Sequence, residues 1–277
     1  MKLGISSYTY GWAIGVPGHE PARPMNEQDL LDRARRHAVK LVQVCDNLPL
    51  HQMSSERVAR FADRAADEGV QIEIGSRRLT IEHVAEMAAL ARRVRAKLIR
   101  FVIDGPDFHP SPEHVVKTLR DVEPLLDGLQ LGLENHDRFP ARTLRSIVEA
   151  AGSERIGICL DTANSLGAGE GLATVVSELA PITVNLHLKD FHIARLPHLM
   201  GFTVEGRPAG GGMLNVPELL DQLSRFHRCE TAVLELWTPP EPELERTVAK
   251  EEAWAAQSLE YLFGTGLFAE QSRIILQ

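Results

Sequence analysis

This sequence predicts a single-domain (β/α)₈ TIM barrel, and three observations carry the prediction. Along its 277 residues, short apolar, β-rich runs occur eight times, and each is followed by a longer segment with helical period. The first run leads into SSYTYGW rather than into a glycine-rich, phosphate-cradling turn, the usual mark of the competing doubly wound open sheet. The length also fits one barrel, which typically takes about 250 residues.

The strand runs are residues 3–8, 41–45, 70–74, 98–103, 129–134, 156–161, 183–188 and 231–236. The amphipathic segments are residues 27–37, 55–68, 81–95, 112–126, 141–151, 172–179 and 216–226, with a last one at 244–262. Such alternation forces parallel neighbours and right-handed crossovers. Several helix starts carry capping residues: Ser54 or Ser55, Thr80, and Ser111 followed by Pro112 in the first turn. The longest stretch read as irregular is 191–214, which includes LMGFTVEGRPAGGGMLN. A loop of that length in a compact domain is expected to be functional. Its glycines 210–212 suit either a backbone cradle for phosphate or a flexible lid. Composition does not shift along the chain, so one domain is expected over residues 1–277.

Hydrophobic residues make up 44% and charged residues 25%, an ordinary soluble balance. The formal net charge of -8 excludes a global positive field for gathering nucleic acid. Cys45, Cys159 and Cys229 form no CxxC pair, which argues for a reducing compartment without a disulfide framework. The N-terminus lacks a signal-type apolar region, and no run approaches the roughly 18 apolar residues of a spanning helix. A cytoplasmic protein with no membrane partner is expected.

The chemistry concentrates in the second half. The fifth strand run ends LGLENHD, the sixth GICLDTAN, the seventh NLHLKDF and the eighth AVLELW. Each drives an apolar run into a charged or imidazole residue: Glu134, Asp161, His187 and Glu235. Inward residues at barrel strand ends converge on the mouth, where barrel active sites sit. A single glutamate on a strand is usually a solvated edge residue, and a single histidine usually a hydrogen-bonded one. Four in the same phase on consecutive strands read better together. Three carboxylates so close cannot all ionise without a cation. A divalent ion turns the repulsion into coordination, and mixed O/N ligands suit Mn²⁺, Mg²⁺, Co²⁺ or Zn²⁺.

The pieces LENH, CLDTAN, NLHLKD, GRPAGGGMLN and LELW, in that order, resemble the xylose isomerase-like TIM barrel superfamily, in its sugar phosphate isomerase/epimerase branch. The likeness is specific over the second half and extends over the rest through the eight-unit pattern. It implies that Glu134, Asp161, His187 and Glu235 ligate one divalent ion, with Mn²⁺ placed ahead of Mg²⁺, Co²⁺ and Zn²⁺. It also implies that Glu134 and Glu235 double as an acid/base pair. The expected activity is a metal-dependent isomerase or epimerase of a small sugar, polyol or keto-sugar. One carboxylate would take the proton beside a carbonyl, the metal would stabilise the enediolate, and the second carboxylate would return the proton.

Four further residues are candidate substrate contacts. Arg207 resembles an arginine that meets substrate oxygens in the epimerases. His136 and Lys189 stand two residues past Glu134 and His187, on the same strand phase. Asn164 stands where many relatives carry a histidine in a DTxH pattern, and it can bond a sugar hydroxyl or a metal-bound water. Asp46 and Asn47 replace a glutamate that relatives often place after the second strand. Asp190 is expected to orient a loop, and Trp12 and Trp237 to wall the sugar or plug the mouth.

Three alternatives stand beside the leading one. A lyase on the same scaffold would dehydrate an inosose or eliminate from a 3-keto-glycoside after the same proton abstraction. An abasic-site endonuclease needs several metals and a basic face, and both Asn164 and the charge of -8 oppose it. A non-catalytic subunit role is opposed by the intact ligand set. The resemblance further implies a homo-oligomer, dimer or tetramer, with a hetero-oligomer as the variant. The tail beyond residue 262 is expected to pack on its own barrel or on a neighbour.

Overall fold

The computed structural model describes residues 1–268. Ten strands form in chain order: β1 Lys2–Ser6, β2 Leu41–Val44, β3 Gln71–Arg77, β4 Leu98–Val102, β5 Gln130–Glu134, β6 Ile156–Asp161, β7 Thr183–Leu188, β8 Asp190–Arg195, β9 Phe202–Arg207 and β10 Thr231–Leu234. The helices are α1 Gly11–Ile14, α2 Glu27–Arg36, α3 Ser55–Asp67, α4 Ile81–Arg93, α5 Pro112–Val122, α6 Ala141–Ala151, α7 Leu172–Leu179, α8 Val216–Ser224 and α9 Leu244–Gly264. Eight of the strands close a barrel in the order β1-β10-β7-β6-β5-β4-β3-β2, and β8 pairs with β9 apart from it. Every barrel pairing is parallel. The predicted barrel is therefore the observed one.

The helices stand where the periodicity put them, and the capping chemistry explains their starts. Ser54, Thr80 and Ser111 each accept the backbone N–H three residues on, from Arg57, His83 and His114. Apolar stripes such as Val58, Phe61 and Ala65 on α3, and Val84, Ala88 and Ala91 on α4, are buried against the strands. Fully burying a side chain the size of Phe61 contributes about 1.5–3 kcal/mol.

Two segments differ from the sequence reading. The first strand stops at Ser6, because Ser6 and Thr9 form a reciprocal capping box that winds Ser7–Tyr10 into a 3₁₀ turn. The stretch 191–214, read as irregular, instead contributes most of an antiparallel hairpin, with Asp190 opposite Arg207 and Arg195 opposite Phe202. Its turn places Leu199 and Gly201 at φ 64° and 148°. The prolines and glycines around its arms hid the hairpin from a composition-based reading. From residue 269 onward the tail lies outside the described residues. No helix among the described residues is long and apolar enough to cross a membrane.

Candidate metal centre and active site

Glu134 ends β5, Asp161 ends β6, His187 lies one residue from the end of β7, and Glu235 follows β10 by one residue. The register sets Asp161 beside His187 across β6 and β7. All four side chains are almost wholly buried. His187 Nδ1 is the meeting point: it lies 3.3 Å from Glu134 Oε2, 3.3 Å from Glu235 Oε1 and 3.9 Å from Asp161 Oδ2.

The orientation of the imidazole follows from the layer beneath it. His187 Nε2 lies 2.7 Å from Gln43 Oε1. The Gln43 amide nitrogen donates to Glu73 Oε2 and to Asn185 Oδ1, both at 3.1 Å, which fixes which end of the amide is oxygen. An amide oxygen only accepts, so Nε2 carries a proton and Nδ1 is the nitrogen turned to the carboxylates. Burial disfavours the imidazolium, but Glu235 and Glu134 outweigh that and raise the His187 pKa, so a bound cation would take the place of the Nδ1 proton. A metal-ligating histidine is usually set in this way, by a hydrogen bond on its other nitrogen.

Two buried cations complete the cluster. Arg100, in the middle of β4, donates Nε to Glu134 Oε2 and Nη1 to Asp46 Oδ1 at 2.9 Å. It crosses the barrel over Gly75, where a Cβ would stand 2.7 Å from Cys45 Sγ and 3.3 Å from Arg100 Cδ, so glycine keeps the path open. Lys189 Nζ lies 2.7 Å from Asp161 Oδ2 and 3.0 Å from Glu235 Oε2. Burial disfavours its ammonium, but the Asp161 and Glu235 carboxylates outweigh that and hold its pKa above the ordinary lysine value. Burial opposes the charged form of Glu235 as well, and His187 and Lys189 outweigh it, so its pKa falls well below the carboxylate norm.

These residues fit a divalent ion. Asp161 Oδ2, His187 Nδ1 and Glu235 Oε2 are buried and make no well-aligned hydrogen bond, and the two oxygens are met only by the Lys189 ammonium. One donor atom from each of Asp161, His187 and Glu235 falls within 4.8 Å of the other two, and the same holds for a group of Glu134, Cys159 and His187. Cys159 is the poorer donor of that second group. Its Sγ already donates to Asn185 Oδ1 at 3.1 Å, and burial keeps the thiol protonated. Counting Asp46, four carboxylates face two fixed cations, so the cluster has room for positive charge.

The other residues singled out in the sequence divide. Asn164 and Lys189 join the cluster: Asn164 Nδ2 donates to Glu134 Oε1 at 2.7 Å, and Lys189 Nζ donates to Asn164 Oδ1 at 3.5 Å. His136 pairs with Asp137 at 2.6 Å and lines a separate groove with Arg77, Asp104 and His109. Arg207 closes the base of the hairpin, bonding Glu205 Oε2 at 3.1 Å and the Gly206 carbonyl at 2.9 Å. Asp190 holds the loop. Its carboxylate accepts the backbone N–H groups of Gly210, Gly212 and Leu214 at 2.9, 3.0 and 3.0 Å. Gly212 sits so close that a Cβ would lie 2.2 Å from Asp190 Oδ1. Trp12 and Trp237, with Tyr8, Asn47 and Glu205, line a cavity of about 660 Å³, and Lys189 Nζ stands 5.6 Å from the centre of the Trp237 ring.

The sequence reading missed Arg100, Gln43, Glu73 and Ser6, whose hydroxyl donates to Glu235 Oε1 at 2.8 Å. For Gln43, Glu73 and Arg100 the signal was present as a polar residue between apolar neighbours, in LVQV, QIEIGSR and LIRFV.

Residues 31–263 match the family model described as xylose isomerase-like TIM barrel. Over 280 aligned residues the chain is 30% identical to the 3-oxo-isoapionate decarboxylase of Pectobacterium atrosepticum, covering 100% of both chains. Among solved structures, the D-psicose 3-epimerase of Clostridium cellulolyticum H10 with D-tagatose aligns at TM-score 0.73 and 12% identity, over 97% of this chain and 99% of that one. A xylose isomerase-like TIM barrel protein of Mycobacterium smegmatis, in complex with magnesium, aligns at 0.68 and 14% identity, over 93% and 96%. At those identities the two structures speak for the fold alone. With the closed parallel barrel and the family model agreeing along the chain, the protein belongs to the xylose isomerase-like TIM barrel family.

Proposed function

We propose that the protein is a divalent-metal-dependent lyase that removes CO₂ from a 3-oxo acid derived from a small sugar. The observation that carries the reading is the placement of Lys189. This buried ammonium stands against Asp161 and Glu235 and 5.6 Å from the centre of the Trp237 ring, which itself lines the cavity. A cation there suits a substrate that brings its own carboxylate, which a simple ketose does not. The full-length relative, a decarboxylase of a 3-oxo acid by its name, supports the same chemistry.

Glu134, Asp161, His187 and Glu235 would hold the ion. When bound, it supplies Lewis-acid polarisation of the substrate's keto oxygen. In a 3-oxo acid the bond between the carboxylate and its neighbouring carbon breaks, and the electron pair moves into the polarised carbonyl to give an enolate. A proton then returns to that carbon. Lys189 orients the carboxylate before it leaves and holds a proton within reach of the same place. Trp12 and Trp237 exclude water from one wall. The start of the reaction needs no base. That suits Glu134, whose two oxygens are already engaged by Asn164 and Arg100.

A second reading is the proton exchange of an isomerase or epimerase, the order of preference that the sequence suggested. It is favoured by the approach of Glu134 and Glu235 to His187 Nδ1 from opposite strands, at 3.3 Å each. One experiment separates the two. Metal-stripped protein reloaded with Mn²⁺ is offered 3-oxo sugar acids and, separately, ketoses in D₂O. CO₂ release that needs Mn²⁺ and is lost in Lys189→Met is the expected result. Deuterium exchange into ketoses without CO₂ release from any acid would replace this reading with the second.

A further inference from the structure

A second cluster of metal-donor side chains lies outside the barrel mouth. His51 sits in the 3₁₀ turn Leu50–Gln52 after β2, and His83 and Glu86 sit on the first turns of α4. Spacing of three residues puts His83 and Glu86 on one helix face. His83 Nδ1 lies 2.9 Å from Glu86 Oε2, and the rings of His51 and His83 stand 5.2 Å apart between centres. One donor atom from each of the three residues falls within 4.8 Å of the other two.

We propose that His51, His83 and Glu86 form a second divalent-metal site, of the kind that takes Zn²⁺. Two imidazoles and one carboxylate are a common zinc donor set, and the partial exposure of the cluster leaves a fourth position to water. The set has an outer support of the expected kind: His83 Nε2 lies 2.6 Å from Ser76 Oγ. With no ion bound, Nδ1 donates to the Glu86 carboxylate; with Nε2–H donating to the Ser76 hydroxyl, an ion would replace the Nδ1 proton between His83 and Glu86. The ligand atoms of a tetrahedral zinc site stand roughly 3.3 Å apart, given Zn–N and Zn–O lengths of about 2.0 Å. Small rotations of the exposed Glu86 and the half-buried His51 close the remaining distance.

An ion here would clip the β2–α3 loop to the start of α4. It would also sit one residue from the active-site network, because the Ser76 carbonyl accepts Arg100 Nη1 at 3.4 Å and Arg100 holds Glu134. The mouth ligands play no part in this site, so the two can fail separately.

The test counts Zn²⁺. Metal-stripped protein, His51→Ala, Glu86→Gln and the mouth variant Glu235→Gln are each titrated with Zn²⁺ by calorimetry, then assayed for bound zinc after gel filtration. The expected result is that His51→Ala and Glu86→Gln each bind one equivalent fewer than the parent, and that Glu235→Gln retains the equivalent the other two lose. Circular dichroism of the metal-free variants checks that each is folded. Unchanged stoichiometry in both His51→Ala and Glu86→Gln would overturn the proposal, whatever the mouth binds.

Discussion

The two halves of the barrel contribute to the mouth in different ways. In β5, β6, β7 and β10 the apolar run ends in a charged or imidazole side chain, so Glu134, Asp161, His187 and Glu235 arrive at the rim from strand ends. In β1 to β4 the contributing residues are Ser6, Gln43, Glu73 and Arg100, and all but Ser6 lie inside the strand. The second half presents the donor atoms. The first half sets their orientation and supplies opposing charge. The difference shows that a charged strand end can be read as a function, whereas a polar residue within a strand is read only once its inward neighbours are known.

The sharpest way to break this division is Glu235→Gln, which removes a candidate metal-donor carboxylate and one of the two anions that hold Lys189. Turnover should fall by about 10²-fold or more, because the ion's several kcal/mol of charge stabilisation weakens with its site. Mn²⁺ should also stop raising the thermal midpoint, which differential scanning fluorimetry reads. A mild loss would mean that the second half is less essential than its geometry suggests.

Arg100→Met tests the first half. Glu134 and Asp46 lose a cation that is almost wholly buried. Breaking such a pair costs about 3–5 kcal/mol, which urea unfolding of the metal-free protein should show. Excess Mn²⁺ should restore part of that stability, because it supplies the missing positive charge.

Gln43→Leu sharpens the contrast further. It leaves every candidate metal donor in place and removes the bond that orients His187, together with the Gln43 bonds to Glu73 and Asn185 beneath it. Mn²⁺ affinity should weaken by about 10–100-fold while the fold survives, as calorimetry would record.

The smallest expected effect lies between the halves, where α9 meets α1. Glu251 accepts the N–H groups of Trp12 and Ala13 at 3.0 Å each. Burial nonetheless outweighs those bonds and pushes its pKa up to about 8. The folded state therefore holds a proton that the unfolded chain has released. The stability this group contributes is complete below the ordinary carboxylate range and is lost as pH rises towards 8. Thermal midpoints measured from pH 5 to 9 should fall less steeply for Glu251→Gln than for the parent.

The fold was legible because periodicity and capping act locally. Eight alternations and three helix caps name a barrel with no knowledge of tertiary contacts. The buried cluster of Glu134, Asp161, His187 and Glu235 was legible because its members share one position relative to their strands. Arg100 was not, since LIRFV looks like any buried strand until Gly75 and Glu134 are placed on either side of it. The hairpin was missed for the opposite reason: the glycines and prolines around it are genuine loop signals, and only pairing shows that two arms lie between them. His136 and Arg207 had the right spacing or setting, but local partners hold them: Asp137 for the first and Glu205 for the second.

Asp190 gives the architecture a seam. The residue before it, Lys189, belongs to the reaction centre, and the hairpin starts at Asp190 itself. By gripping the amides of Gly210, Gly212 and Leu214, the same carboxylate ties the far end of the excursion back to its beginning. The same excursion touches the barrel again at Gly206, where a Cβ would lie 2.0 Å from the Trp237 carbonyl, and at Ala209, whose N–H donates to Ser258 Oγ at 2.9 Å. The hairpin is thus stapled both to the segment that follows β10 and to α9, so any side chain added at Gly206 would push on the backbone two residues past Glu235.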